Sequence, residues 1–278
     1  MPLNGKRPKS KRMLKEYRNA LVTGGSSGIG LEIVKQLACH EVAVCIVALP
    51  DEELDRVTEE LRMQFPSIQI EVFGIDLTED NAADRVFEFC KSNNFHVDIL
   101  INNAGFGTYG WMTDIPRDKE LAMLHLHILT LYKLTRLFID EMLKNNHGIV
   151  VNISSISAFQ PNPRLATYGA TKAFVYQWSR SINEELKAQG KKVRVLVVCP
   201  TPVRTPFIKK AGMEKSLLIN SWMVVSQAKV AKALIRSIEK SKDMVIPGRR
   251  FHWLHKFVSR LPESWRVKLA HIHLKEKN

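Results

Sequence analysis

Seven short apolar runs rich in β-branched residues recur along the chain: Ala20–Thr23, Val42–Val47, Ile68–Phe73, Val97–Ile101, Ile149–Ile153, Val193–Val198 and Met244–Ile246. Each of the six gaps between them carries a stretch of helical pattern, over 29–39, 51–64, 79–93, 117–145, 165–189 and 226–241. Strict alternation of strand and helix builds parallel βαβ units, with helices covering both faces of one sheet. Runs such as Val-Arg-Val-Leu-Val-Val lack polar alternation, as strands buried on both faces should. The expected fold is therefore α/β, a doubly wound parallel sheet of the Rossmann type with about seven strands. At 278 residues, with no internal repeat and no low-complexity linker, one α/β domain accounts for the folded chain.

The charge is uneven. Residues 1–18 and 249–278 each carry a net charge of +6, and the 230 residues between them carry +1. This predicts a basic N-terminal extension (1–18), a folded domain (19–248) and a basic C-terminal tail (249–278). A nucleic-acid-binding domain carries its basic stripe on the folded body beside a recognisable motif, so no nucleic-acid partner is expected. Basic ends either touch an anionic surface or keep a neutral body soluble. Cys39, Cys45, Cys90 and Cys199 form no CxxC pair and read as buried free thiols rather than metal ligands. No apolar run reaches the roughly 20 residues of a membrane span, and no apolar core of a signal peptide follows the basic N-terminus. The sequence predicts a cytoplasmic protein, at most peripheral at a membrane.

Strand Ala20–Thr23 leads into Gly24-Gly25-Ser26-Ser27-Gly28-Ile29-Gly30 and then into an amphipathic helix. Glycines permit a sharp turn and let backbone N–H groups approach a pyrophosphate at the helix N-terminus. The missing Gly-Lys-Ser/Thr ending argues against a nucleoside-triphosphatase loop.

Thr23-Gly24-Gly25-Ser26-Ser27-Gly28-Ile29-Gly30 resembles the T-G-x3-G-x-G fingerprint of the short-chain dehydrogenase/reductase family. Asp76-Leu77, Asn102-Asn103-Ala104-Gly105, Ser154-Ser155, Tyr168-Gly169-Ala170-Thr171-Lys172 and Pro200-Thr201-Pro202-Val203-Arg204-Thr205 match further family elements in order. The resemblance covers about residues 18–246. It implies an NAD(H)- or NADP(H)-dependent oxidoreductase acting on a ketone or secondary alcohol. Gly24, Ser26, Ser27, Gly28, Ile29, Gly30, Asp76, Leu77, Asn103, Ala104, Gly105, Pro200, Val203 and Thr205 would hold the dinucleotide. Tyr168 would exchange a proton with the substrate oxygen, and Ser155 would hydrogen-bond that oxygen. Lys172, four residues from Tyr168 on one helix face, would lower the phenol's pKa and bind the nicotinamide ribose. The resemblance also implies a homodimer or homotetramer paired through helices 117–145 and 165–189.

Two positions depart from the family pattern. His127 stands where an asparagine is expected; it either serves the same proton relay, alters it, or is a satisfied core histidine. At the end of the second strand, Leu49 and Pro50 precede Asp51. Asp51 either bonds a ribose hydroxyl, favouring NAD, or caps the next helix, so cofactor preference stays open. The loops Phe106–Trp111, Phe159–Leu165 and Phe207–Met223 are rich in aromatic and apolar residues, which predicts a lipophilic carbonyl or alcohol substrate of lipid or steroid type. In the tail, Phe251, Leu254, Phe257, Val258 and Leu261, then Trp265, Leu269 and Ile272, fall at helical spacing among cations. That stripe either lies on an anionic membrane or packs on the body, closing the substrate pocket or a subunit interface. A non-catalytic nucleotide sensor or scaffold on the same fold is the alternative function.

Overall fold

The computed structural model describes residues 14–219, 222–248, 258 and 260–275. Leu14 and Tyr17, from the stretch expected as an extension, are buried against the body, and Tyr17 stacks on His147. The tail residues Phe251, Trp253, Leu254 and Phe257 lie outside the described residues.

Strand β1 (Asn19–Thr23) leads through the glycine turn into α1 (Gly28–Ala38). Then follow β2 (Ala43–Ala48), α2 (Glu52–Gln64), β3 (Ile70–Gly74), α3 (Ala82–Ser92) and β4 (Ile99–Asn102). The long helical region expected over 117–145 is α4 (Arg117–Leu124), a π-helical turn (His125–Thr130) and α5 (Leu131–Lys144). Next come β5 (Ile149–Ile153), α6 (Ala166–Ala188) and β6 (Arg194–Val198). The chain closes with α7 (Pro206–Ala211), α8 (Gln227–Glu239), β7 (Met244–Val245) and α9 (Glu263–His273).

All seven strands run parallel in the order β3-β2-β1-β4-β5-β6-β7. The order in which successive strands are added reverses between β1 and β4, so a crevice opens there at the carboxyl ends of the strands, where ligands of such sheets sit. One apolar layer packs α1, α2 and α8 on one face; the other packs α3, α5 and α6 on the opposite face. The sheet's β-branched strands are almost wholly buried, as their unalternating sequences require.

A buried polar chain ties the central strands to α5 and α6. Asn102 Nδ2 donates to Thr135 Oγ1 at 3.0 Å and to Asn152 Oδ1 at 2.8 Å, and Asn152 Nδ2 donates to Ser179 Oγ at 2.9 Å. Buried hydrogen bonds of this kind favour one packing arrangement. Here they set α5 and α6 against the ends of β4 and β5.

Candidate active site

The glycine turn has two backbones in the left-handed region, Gly24 (φ 64°) and Gly28 (φ 59°). Thr23 anchors it to the end of β4: its hydroxyl accepts from the N–H groups of Asn103 and Ala104, each at 3.0 Å. Asn103 Nδ2 returns the tie, donating to the carbonyls of Thr23 (2.9 Å) and Gly24 (3.1 Å). Ser27 begins α1 without a side-chain cap bond, so its first N–H groups face the crevice unclaimed by a cap. That donor set fits a dinucleotide's pyrophosphate.

Gly30 lies beneath the turn. A Cβ there would stand 2.0 Å from the Gly24 carbonyl oxygen and 2.6 Å from Asn103 Nδ2. Gly30→Ala is expected to destabilise the fold by about 1–3 kcal/mol or more. The same displacement should weaken NADH binding by about tenfold or more, because the turn must move. Thermal denaturation and a fluorescence titration measure the two effects.

One cavity of about 1100 Å³ gathers nearly every expected site residue. Gly24, Ser26, Ser27, Gly28, Ile29, Asp76, Leu77, Asn103, Ala104, Gly105, Ser155, Tyr168, Lys172, Pro200, Val203, Thr205 and His127 all line it. Gly30 alone does not, since it supports the turn from below. Asp51 lines the cavity and also caps α2, its carboxylate accepting from the Leu54 N–H at 3.0 Å.

Ser155 lies two residues past β5, and its oxygen accepts from the Ser157 N–H at 3.1 Å. Tyr168 and Lys172 are one turn apart on α6, with Lys172 Nζ 5.7 Å from the Tyr168 ring centroid. Lys172 is 6% exposed and donates to the Ile153 carbonyl at 3.1 Å. Burial pulls its pKa down to about 8. The expected lowering of the Tyr168 pKa is not seen in the protein alone. Burial pushes the phenol up to about 12, against the opposing hydrogen bond from Ser155. Tyr168 is therefore a protonated donor at neutral pH.

His127, in the π-helical turn, is 1% exposed. Thr171 Oγ1 spends its hydrogen on the Tyr168 carbonyl (2.8 Å), so at 2.9 Å it accepts from His127 Nδ1. Burial, reinforced by the Lys172 charge, holds the His127 pKa well below its usual value. The ring is thus neutral, with a bare Nε2 lone pair facing Gly105, whose Cβ would sit 2.6 Å away. Nε2 has no hydrogen-bond partner among the described residues.

The apolar loops contribute selectively. Phe106, Phe159, Phe207, Met213, Leu218, Trp222 and Met223 line the cavity, whereas Tyr109, Trp111, Pro161, Pro163 and Leu217 do not. Tyr109 instead donates its hydroxyl to the Leu274 carbonyl, and the Arg164 guanidinium stacks 4.6 Å over Trp111. Leu261 and Leu269 of the tail's apolar stripe line this cavity, as the body-packing alternative expected, and Ala270, His273 and Leu274, which the sequence reading did not single out, join them. They arrive because α9 docks on the body, with Arg266 donating to the Phe159 carbonyl at 3.0 Å and the Leu217 N–H to the Lys275 carbonyl at 3.0 Å. Cys39 corrects another expectation: it is exposed, while the other three free thiols are buried.

Residues 18–216 match the short chain dehydrogenase family model. The chain is 30% identical over 201 residues to the very-long-chain 3-oxoacyl-CoA reductase of Anas platyrhynchos, a match covering 70% of this chain and 64% of that protein. Its Bos taurus counterpart is 31% identical over 194 residues, 68% of this chain and 61% of that protein. The chain thus spans less than two thirds of these relatives' length. A short-chain dehydrogenase from Sphingobium yanoikuyae, solved with NADPH, superposes with TM-score 0.76 at 25% identity, covering 89% of this chain and 97% of that one. An alcohol dehydrogenase from Comamonas testosteroni specific for bulky-bulky ketones gives TM-score 0.72 at 25% identity, covering 89% and 96%. Fingerprint, strand order and matched length agree: this chain belongs to the short chain dehydrogenase family, which uses NAD(H) or NADP(H).

Proposed function

We propose that this protein transfers hydride between a nicotinamide dinucleotide and a ketone or secondary alcohol on a lipophilic body, a long-chain 3-oxoacyl thioester being the class nearest to its relatives. The observation that carries this reading is the placement of Ser155, Tyr168 and Lys172 in the same cavity as the glycine turn, with its far wall apolar. The bound nicotinamide supplies or accepts the hydride. Ser155 and Tyr168 hold the substrate oxygen, and Tyr168, protonated at neutral pH, gives it a proton in the reducing direction. Lys172 would bind the ribose, and His127 acts as a positioning residue, its neutral ring tied to Thr171 and its Nε2 offered as a hydrogen-bond acceptor. Steady-state oxidation of NADH with long-chain 3-oxoacyl-CoA and with bulky ketones tests the reading. Cofactor binding without turnover on any carbonyl would return the protein to a sensor role.

The adenosine end of the cavity carries Leu49, Asp51, Glu53 and Asp76, and neither lysine nor arginine among its described lining residues. Carboxylates repel a 2′-phosphate, so the proposed preference is NAD(H). Leu49→Arg would bring a guanidinium to that edge and is expected to shift the kcat/KM ratio toward NADPH by about tenfold or more. An unmoved ratio places the 2′ position elsewhere. We propose further that the chain is a homodimer or homotetramer paired through α4, α5 and α6. Leu129 and Tyr132 are exposed there, and Tyr132 packs against Trp178 of α6. A cytoplasmic location belongs to the same proposal. Among the described residues no helix is long and apolar enough to cross a membrane.

A further inference from the structure

Helix α9 has two faces. Ala270 is buried on the body and Leu274, just past its end, is buried with it. Trp265, Leu269 and Ile272, spaced i, i+4 and i+7, form a single outward stripe and are 61%, 40% and 53% exposed. The stripe continues onto the loops: Trp111, 51% exposed, lies 6.3 Å from the His271 ring, and Trp222, 65% exposed, borders the cavity. Leu269 and Trp222 line the cavity as well as the surface, so apolar side chains are shared between the outside and the cavity.

Among the described residues, Arg260, Lys268 and Lys275 are exposed on or beside this helix, against the acid Glu263. The charge selects the occupant. A second copy meeting this face about a twofold axis would bring like charges together. Anionic headgroups would neutralise the cations while indoles and an isoleucine enter the interfacial layer.

We propose that this rim docks on an anionic phospholipid surface, with Trp265 and Ile272 inserted and the cavity mouth facing the bilayer. A lipophilic substrate would then reach Tyr168 without crossing water. The last step rests on the oxidoreductase reading; the docking does not.

The test is co-sedimentation of the full chain with phosphatidylserine–phosphatidylcholine vesicles and with pure phosphatidylcholine vesicles. The protein is expected to pellet with the anionic vesicles and to leave them at high salt. Trp265→Glu combined with Ile272→Glu should weaken partitioning by about tenfold or more. Neither side chain lines the cavity, so NADH affinity and turnover of a water-soluble ketone should not change. Lys268→Gln should give a smaller loss with a shallower salt dependence. The proposal is overturned if the full chain stays in solution with anionic vesicles, or if the double variant pellets as the parent does. It also fails if the double substitution converts an oligomer to a monomer by sedimentation velocity with no vesicle binding, which would make the stripe a subunit face. Vesicle binding without carbonyl reduction would leave the docking standing and remove the proposed reaction.

Discussion

Tyr168→Phe is expected to lower kcat by about 10²- to 10⁴-fold, the range supplied by a positioned acid–base group. The affinity for NADH should hardly move. The phenol reaches into the part of the cavity shared with Ser155, whereas the glycine turn and Asn103 hold their geometry through backbone bonds that Tyr168 does not enter. The fold should survive, because the ring keeps its packing against His127 (5.9 Å between centroids) and Phe207 (5.5 Å). Steady-state kinetics beside a fluorescence titration separates the two quantities. Turnover at the parent's rate would remove Tyr168 from the chemistry.

Lys172→Met should cost at least about a hundredfold in turnover and, unlike the tyrosine change, weaken the dinucleotide as well. It carries a second signature in stability. Burial lowers the folded-state pKa of Lys172 to about 8 from an ordinary 10.5. Between those values the unfolded chain holds the proton and the folded chain does not, so the parent's stability rises with pH across that window. Below about pH 8 the cost of the buried ammonium is felt in full. The methionine variant has no such dependence. Its melting temperature relative to the parent should therefore be most favourable near pH 7 and fall as pH rises from 8 to 10.5, by the equivalent of about 1–3 kcal/mol. The Ile153 carbonyl loses its donor in the variant. That loss offsets the absolute melting temperature at every pH alike, and the slope alone reports the ammonium. Parallel melting curves for the two proteins across that range would show that Lys172 does not titrate there.

The strands were legible because each is a local run of β-branched residues, and a strand buried on both faces needs no partner to declare itself. Strand ends moved by two residues at most, as at β3 and β4, where pairing with β2 and β1 sets the limits. The glycine turn was legible for a related reason, since it demands particular residue types at fixed spacing on one element; Asn103, Ser155 and the Tyr168–Lys172 pair were named by the family resemblance.

Other features depend on what lies across the fold. The direction of the Tyr168 shift in the protein alone follows from burial, which the Tyr-x3-Lys spacing does not record. The tautomer of His127 is decided by Thr171, 44 residues away, whose own hydrogen is committed to a backbone carbonyl. The tail posed a choice between membrane and body, and α9 has a face for each. A helical pattern records which residues share a side, but only docking shows which side is already covered. Local spacing thus determined the sheet and the glycine turn, and the family resemblance named the proposed reacting groups. Their charge states, the cavity's fourth wall and the face left open to a lipid surface depended on contacts between residues far apart in the chain, which exist only once the chain is folded.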